Sequence, residues 1–149
     1  MSTEKPESIA IDHDDYHAQH IGTTQDGNQF FLTTPFEAAS DTSNGCEYIA
    51  LFIFDSEGEC LNSIIESLGP REDLIESEAK KKYNSMLSTL GEVSYCRIVV
   101  KPFSVDFNGT EIGLIARAPE DEDDEWAVEL LPGNYMAFFE PWDSGEYDT

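Results

Sequence analysis

The chain has 149 residues, and 40% of them are hydrophobic, which is enough for a sizeable core and too much for a disordered chain. Its 31 acidic residues outnumber 8 basic ones, and the net charge of −23 argues against binding to nucleic-acid phosphates or to anionic membranes. The sequence shows neither a membrane-spanning apolar run nor the apolar stretch of a signal peptide. Three cysteines without C-x-x-C spacing predict neither a disulfide framework nor a zinc site, and they favour a cytoplasmic protein.

The chain begins with a polar segment, and several turn sequences follow it. Residues 1–14 carry few apolar side chains, so we expect a mobile N-terminal arm before a single domain over residues 15–149. Within that domain, apolar stretches flank four turn sequences: Asp26-Gly27-Asn28, Ser56-Glu57-Gly58, Asn108-Gly109 and Pro132-Gly133-Asn134. Four successive β-hairpins predict a mainly antiparallel sheet.

Two strands are predicted in more detail. Both alternating faces of the stretch from Tyr48 to Phe54 are apolar, which is typical of a central strand covered on two sides. Between Cys96 and Phe107 the apolar positions change parity at Pro102. A bulge or bend at this proline is expected, because it keeps both halves of the segment facing the core.

One segment has helical spacing. Apolar side chains recur every three or four residues at Ile75, Ala79, Tyr83, Met86 and Leu90. Pro70 suits a first helical turn and Gly91 suits the position after the last one, so we expect a helix over about residues 70–90. Its apolar stripe must be buried against the sheet, which predicts an α+β fold of successive hairpins with one amphipathic helix.

The three histidines, His13, His17 and His20, are weak candidates for metal ligands. Asp12, Asp14 and Asp15 are interleaved with them, and imidazole and carboxylate groups both bind divalent metals. In an extended segment, however, His13 and His17 point to one side and His20 to the other. We therefore favour chance clustering on a polar segment, with no metal bound.

Other site chemistries receive less support. The six acids from Glu120 to Glu125 predict a solvated, mobile loop, and counted from Asp121 the run has Trp126 where a calcium-binding loop needs glycine. Cys46 and Cys96 fall among strand residues and are expected to be buried, and Cys60 is expected to be partly exposed. The spacing of cysteines and histidines does not indicate a Cys–His dyad. The sequence predicts neither a catalytic residue nor a cofactor.

The C-terminal segment is the most distinctive part of the chain. Its aromatic residues Trp142 and Tyr147 alternate with acids that include Asp143 and Asp148. We favour a tail that folds back to close the sheet, with Trp142 covering the end of the core. The alternative is a partner-binding surface, formed by these four residues, in which the aromatics anchor the partner and the carboxylates hold a cationic group.

Several of these segments carry a family resemblance, which runs from about His20 to the C-terminus. They are the hairpin from Ile21 to Phe31, Phe54-Asp55-Ser56-Glu57-Gly58, Val100 to Val105, Phe107 to Ile115, Pro141-Trp142-Asp143 and Tyr147-Asp148-Thr149. The chain resembles a family of small bacterial proteins often labelled formate hydrogenlyase regulatory protein. Many members have one residue fewer between the Trp-Asp and Tyr-Asp pairs of the tail. The resemblance implies a cytoplasmic regulator of transcription in anaerobic formate metabolism, and it transfers no site residue.

These observations favour a non-enzymatic, acidic binding or regulatory protein that acts through a protein partner, in particular a basic one. It could sequester a basic transcription factor, or inhibit a nuclease toxin as an immunity-type protein. The alternative is a small hydrolase or metal-dependent enzyme that uses the His13–His20 segment or the C-terminal carboxylates. A high-salt habitat is a third explanation of the acidity. The oligomeric state stays open, because hairpin edges favour self-association and the acidic surface opposes it.

Overall fold

A computed structural model describes residues 5–15, 18–38, 40–41, 45–132 and 136–148. Within these residues the chain forms twelve β-strands, one α-helix and a short 3-10 helix at Arg71–Asp73. The elements are β1 (Ile9–Ile11), β2 (His20–Thr24), β3 (Gln29–Thr33), β4 (Phe36–Glu37), β5 (Cys46–Phe54), β6 (Cys60–Gly69), α1 (Glu76–Ser88), β7 (Val93–Tyr95), β8 (Ile98–Val100), β9 (Phe103–Phe107), β10 (Thr110–Arg117), β11 (Ala127–Leu131) and β12 (Ala137–Phe138).

The strands form three antiparallel sheets. The largest has the order β6-β5-β3-β2-β7, and β4 pairs with β5 on the same side as β3. A second sheet has the order β12-β11-β10-β9, and β1 pairs with β8 in a third. The predicted α+β fold of β-hairpins with one helix is therefore confirmed.

The central strand β5 separates two parts of the core. On one face, Phe52 and Phe54 pack into a cluster shared with β1, β8 and the four-stranded sheet. On the other face, Ile49 and Leu51 pack against α1. This confirms the prediction of a central strand covered on two sides.

The helix is shorter than predicted. Pro70 begins the 3-10 turn at Arg71–Asp73, and Ile75 is still extended, so α1 starts only at Glu76. Met86 is the buried residue of the helix, and Tyr83 packs beside it against the sheet. None of the helices in the described ranges is long and apolar enough to cross a lipid bilayer.

The expectation of an N-terminal arm over residues 1–14 is wrong for residues 9–11. Ile9 and Ile11 are 1% and 0% exposed and form β1, which pairs with β8. Two alternating isoleucines supply enough apolar surface to dock a short strand in the core, although charged residues surround them in the sequence.

The change of parity at Pro102 marks the passage of the chain from one sheet to another. β8 ends at Val100 and pairs with β1, whereas β9 begins at Phe103 and pairs with β10. Val100 and Phe103 nevertheless pack in the same core cluster. The prediction that both halves face the core is confirmed.

A buried side chain joins two of the sheets. Gln29 on β3 is 8% exposed, and its amide nitrogen donates to the backbone oxygen of Val99 on β8 at 2.8 Å. The backbone N–H of Val99 donates in return to the Gln29 amide oxygen at 2.7 Å. Gln29 thus hydrogen-bonds to β8 as the backbone of a neighbouring strand would.

Candidate functional site

The C-terminal segment folds back along the free edge of β1. The backbone N–H of Ala10 donates to the carbonyl of Trp142 at 2.8 Å, and the N–H of Asp12 donates to the carbonyl of Gly145 at 3.1 Å. The half-buried Trp142 packs against the main core cluster. This is the arrangement we favoured from the sequence, a returning tail with Trp142 covering the core.

Arg97 fixes the tail to the segment that follows β1. Its Nε–H donates to the Asp12 carboxylate at 2.5 Å, and its two terminal nitrogens donate to the backbone carbonyls of Asp143 and Ser144 at 3.0 and 3.2 Å. The hydrogen bond to Asp12 raises the pKa of Arg97, so the guanidinium stays charged. One side chain thereby sets the path of the backbone beside Trp142.

Gly145 permits this close approach. Its φ of +79° lies in the left-handed region that favours glycine. A Cβ atom at this position would also lie 2.6 and 2.7 Å from the carboxylate oxygens of Asp12. The backbone conformation therefore favours glycine here, and a larger residue would also displace the Asp12 carboxylate that pairs with Arg97.

Between the returning tail and β8 lies a cavity of about 410 Å³, which we call the C-terminal pocket. It is lined by Ser8, Ala10, Arg97, Val99, Glu140, Pro141, Trp142 and Asp143. Val99, Pro141 and Trp142 supply apolar surface, and Val99 is 46% exposed. The exposed acids Glu140 and Asp143 flank that surface in sequence. The lining of the pocket thus combines an apolar wall with two exposed acidic residues.

The other two residues predicted for partner binding, Tyr147 and Asp148, lie outside this pocket. The Tyr147 hydroxyl hydrogen-bonds to the carboxylate of Asp14, and its ring lies 5.8 Å from that of Phe138. The backbone of Asp148 exchanges hydrogen bonds of 2.8 and 3.0 Å with Ala137. Both residues line a smaller concavity of about 160 Å³. Residues of the tail therefore line two separate concavities.

Two of the three histidines meet at the edge of the largest sheet, and His17 lies outside the described residues. The ring of His13 stacks on Tyr95 at 5.6 Å, and the ring of His20 meets the same tyrosine edge-on at 5.7 Å. Nδ1 of His20 also hydrogen-bonds to the hydroxyl of Tyr83 on α1. Burial and the nearby His13 lower the pKa of His20, which favours its neutral form.

The expectation that His13 and His20 point to opposite sides is therefore wrong. The chain turns between them, because the N–H of Asp14 donates to the carbonyl of Ala18 and the Asp14 carboxylate accepts the N–H of Ala18, both at 3.1 Å. This turn brings both rings to Tyr95. Among the described residues, however, no group of three or more His, Cys, Asp or Glu side chains could hold a metal ion.

Asp124 joins the acidic loop from Glu120 to Glu125 to β10. The Asp124 carboxylate accepts the backbone N–H groups of Glu120 and Glu125 and pairs with Arg117 at 2.8 Å. These hydrogen bonds, led by that from Glu120, lower the pKa of Asp124. The other five acids are exposed, as predicted for a solvated loop.

The three cysteines are free and half-buried. Cys46 and Cys96 are therefore less buried than predicted, since β5 begins at Cys46 and Cys96 lies just before β8. The Cys46 thiol lies 3.1 Å from the hydroxyl of Ser67. Burial raises the pKa of Cys60, which favours the unreactive thiol over the thiolate.

Comparisons with known proteins add no relative: no family model, no curated protein and no solved structure matches the chain. Sequence reasoning missed Arg97 and Glu140 as parts of the pocket. Arg97 could have been noticed as one of only 8 basic residues, but its contacts span 46 positions to Asp143 and 85 to Asp12.

Proposed function

We propose that this chain is a non-enzymatic binding or regulatory protein that acts through a basic protein partner, and that the C-terminal pocket receives a cationic side chain of that partner. The observation that carries the proposal is the pairing of an apolar wall, which includes Trp142, with the carboxylates of Glu140 and Asp143. The net charge of −23 supports the same class of partner, because it attracts basic proteins over long distances.

A lysine or arginine side chain matches both halves of this pocket. Its aliphatic stem can lie along Val99 and Trp142, as long basic side chains do on apolar surfaces. Its cationic head can then reach Glu140 and Asp143, and it gains further from the face of the tryptophan ring. A cavity of about 410 Å³ has room for one such side chain with its shell of contacts.

The arginine that lines the pocket does not reverse this preference. Arg97 is paired with Asp12, and two of its remaining N–H groups point to backbone carbonyls of the tail. With Glu140 and Asp143 added, the carboxylates around the pocket outnumber the guanidinium. An incoming cation therefore meets a negative potential.

Two kinds of basic partner fit the proposal. A transcription factor could be sequestered away from DNA, or a nuclease toxin could be blocked where it expects phosphates. Both place the protein in the cytoplasm, in keeping with an odd number of free cysteines. The acidic surface accelerates encounter with either partner, and this acceleration weakens as salt increases.

The proposal is tested with a penta-lysine peptide as the probe, and binding is followed by calorimetry and tryptophan fluorescence. Replacing both pocket acids, Glu140→Gln with Asp143→Asn, should weaken binding about tenfold, since two charge contacts are lost. The matched control is Glu122→Gln with Asp123→Asn, which removes the same charge from the exposed loop. It should weaken binding less than about twofold at 0.1 M salt.

Two results would contradict the proposal. If the pocket variant and the loop variant weaken peptide binding equally, the peptide responds only to the net charge of the protein and not to the pocket. Absence of peptide binding at low salt would remove the basic-partner class itself.

A further inference from the structure

The strand β6 forms a long open edge of the largest sheet. It spans ten residues, and in the described part of the chain its backbone pairs with β5 alone. Leu61 and Ile64 on this strand are 56% and 40% exposed, although both are large apolar residues. An edge of this kind presents backbone N–H and C=O groups beside apolar side chains, which is a template for another strand. On β6 the N–H of Ser63 donates to Oδ1 of Asn62 at 2.9 Å, so an added strand must replace this local hydrogen bond.

The usual protections of an edge strand are sparse in β6. The strand contains neither proline nor lysine, and Glu66 is its one charged residue. Bulges disturb its pairing with β5 only near the two ends, so Asn62–Ser67 runs in regular register with β5. The regular part of the edge is thus centred on the isoleucines Ile64 and Ile65.

The charge of β6 indicates whether a basic partner or a second copy of the chain pairs with this edge. In a chain with net charge −23, a nearly neutral ten-residue strand repels a second acidic molecule less than the acidic segments do. Lys82 on α1 lies 4.0 Å from Glu66 and offsets the single carboxylate. A basic partner gains little from this edge, whereas a second copy of the chain presents a matching neutral, apolar strand.

We propose that β6 is a self-association edge, at which two copies of the chain pair antiparallel through Asn62–Glu66 and extend the sheet across a two-fold axis. When the pair is centred on Ile64, the two Ile64 side chains lie next to each other on the face that carries α1. Glu66 then lies opposite Asn62 of the second copy, so a carboxylate faces an amide and not another carboxylate. The interface is isologous and closes as a dimer.

This proposal and the proposed function respond to salt in opposite directions. Repulsion between two copies of net charge −23 weakens as salt shortens the screening length, which is about 10 Å at 0.1 M. Dimerisation should therefore strengthen with salt, while binding of a basic partner should weaken. Failure of either proposal leaves the other one testable.

The experiment is sedimentation equilibrium of the full chain at about 0.02 M and about 0.5 M NaCl over a range of protein concentrations. A concentration-dependent dimer is expected at the higher salt and a monomer at the lower. Ile64→Lys should raise the dimer dissociation constant at least about tenfold, since it places two lysines together at the two-fold axis. The matched control is Ile75→Lys, the same change at a 56% exposed position outside β6.

Hydrogen exchange of the unmodified chain gives a readout that does not depend on the folding of any variant. At the higher salt, the β6 amides should become more protected as protein concentration rises, while those of the opposite edge strand β7 should not. A monomer at every protein concentration in 0.5 M salt would overturn the proposal. Equal dimer dissociation constants for Ile64→Lys and Ile75→Lys would also overturn it.

Discussion

At the scale of single residues, Gln29 links the fold to the candidate site. Its side-chain amide exchanges two hydrogen bonds with the backbone of Val99 and donates a third to the carbonyl of Asp55 at 3.0 Å. Val99 lines the C-terminal pocket, so the buried amide determines where one wall of the pocket stands. A glutamine in a strand gives no sign of this role in the sequence.

Gln29→Leu should lower the free energy of unfolding by about 1–3 kcal/mol, because backbone groups of β8 lose their partners while the side-chain volume is nearly kept. Denaturant unfolding followed by circular dichroism measures this change. Gln25→Leu is the matched control, since Gln25 is exposed and hydrogen-bonds only to the Glu92 side chain at 2.9 Å among the contacts described. Its cost should stay within about 0.5 kcal/mol. Equal costs at the two positions would show that the amide bridge does not stabilise the fold.

At the scale of elements, α1 is held to the sheet by apolar packing, by the exposed Lys82–Glu66 ion pair and by a hydrogen bond of Tyr83. Met86 and Tyr83 pack on the face of the sheet, and the Tyr83 hydroxyl hydrogen-bonds to His20 on β2. Burial and the neighbouring His13 lower the pKa of His20 below the ordinary histidine value of 6.5. The folded chain therefore takes up a proton at His20 less readily than the unfolded chain does.

This difference predicts a pH dependence of stability. As pH falls through 6.5, the unfolded state binds the His20 proton first, so the free energy of unfolding falls until the lowered folded-state pKa is passed. His20→Gln should abolish this part of the pH dependence between about pH 7.5 and pH 5.5, as measured by urea midpoints of the variant and the unmodified chain. The same slope in both proteins would show that His20 does not titrate differently on folding.

The returning tail is an element that the sequence could describe only as two alternatives. Its backbone bonds to β1 and the packing of Trp142 make it part of the fold. The returning tail also leaves Asp143 and Glu140 exposed beside the pocket. The tail can therefore complete the fold, through contacts that include those of Tyr147 and Asp148, and still present Glu140 and Asp143 at the surface.

At the scale of the whole molecule, charge opposes compactness. The net charge of −23 repels itself in the folded state, and the ion pairs among described residues use few of the 31 acids. The melting temperature of dilute protein should therefore rise by several degrees between about 0.02 M and 0.5 M NaCl, as screening reduces this repulsion. KCl should act equally, and an uncharged osmolyte series gives the reference for effects other than screening. A flat response to both salts would contradict the expectation.

Much of the fold was predictable because local rules apply to it. The β5–β6 hairpin follows from its turn residues, and in the β9–β10 turn Asn108 and Gly109 both take positive φ. The central strand and the apolar stripe of α1 follow from periodicity. The docking of β1 was not predicted, because two isoleucines gain their stabilisation from a strand almost 90 residues away. The meeting of His13 and His20 at Tyr95 depends equally on contacts that are distant in sequence.

Composition, turn residues and periodicity were enough to predict the α+β class, the antiparallel hairpins, the position of the helix and the high negative charge. The position of the tail, the residues of the tail that line a cavity and the open edge of β6 became clear from the folded chain. The physical reason is the range of the interactions. Turn chemistry and side-chain periodicity act within a few residues, whereas the pocket forms where Arg97 joins Asp12 to the backbone of Asp143 and Ser144, three parts of the chain that only folding brings together.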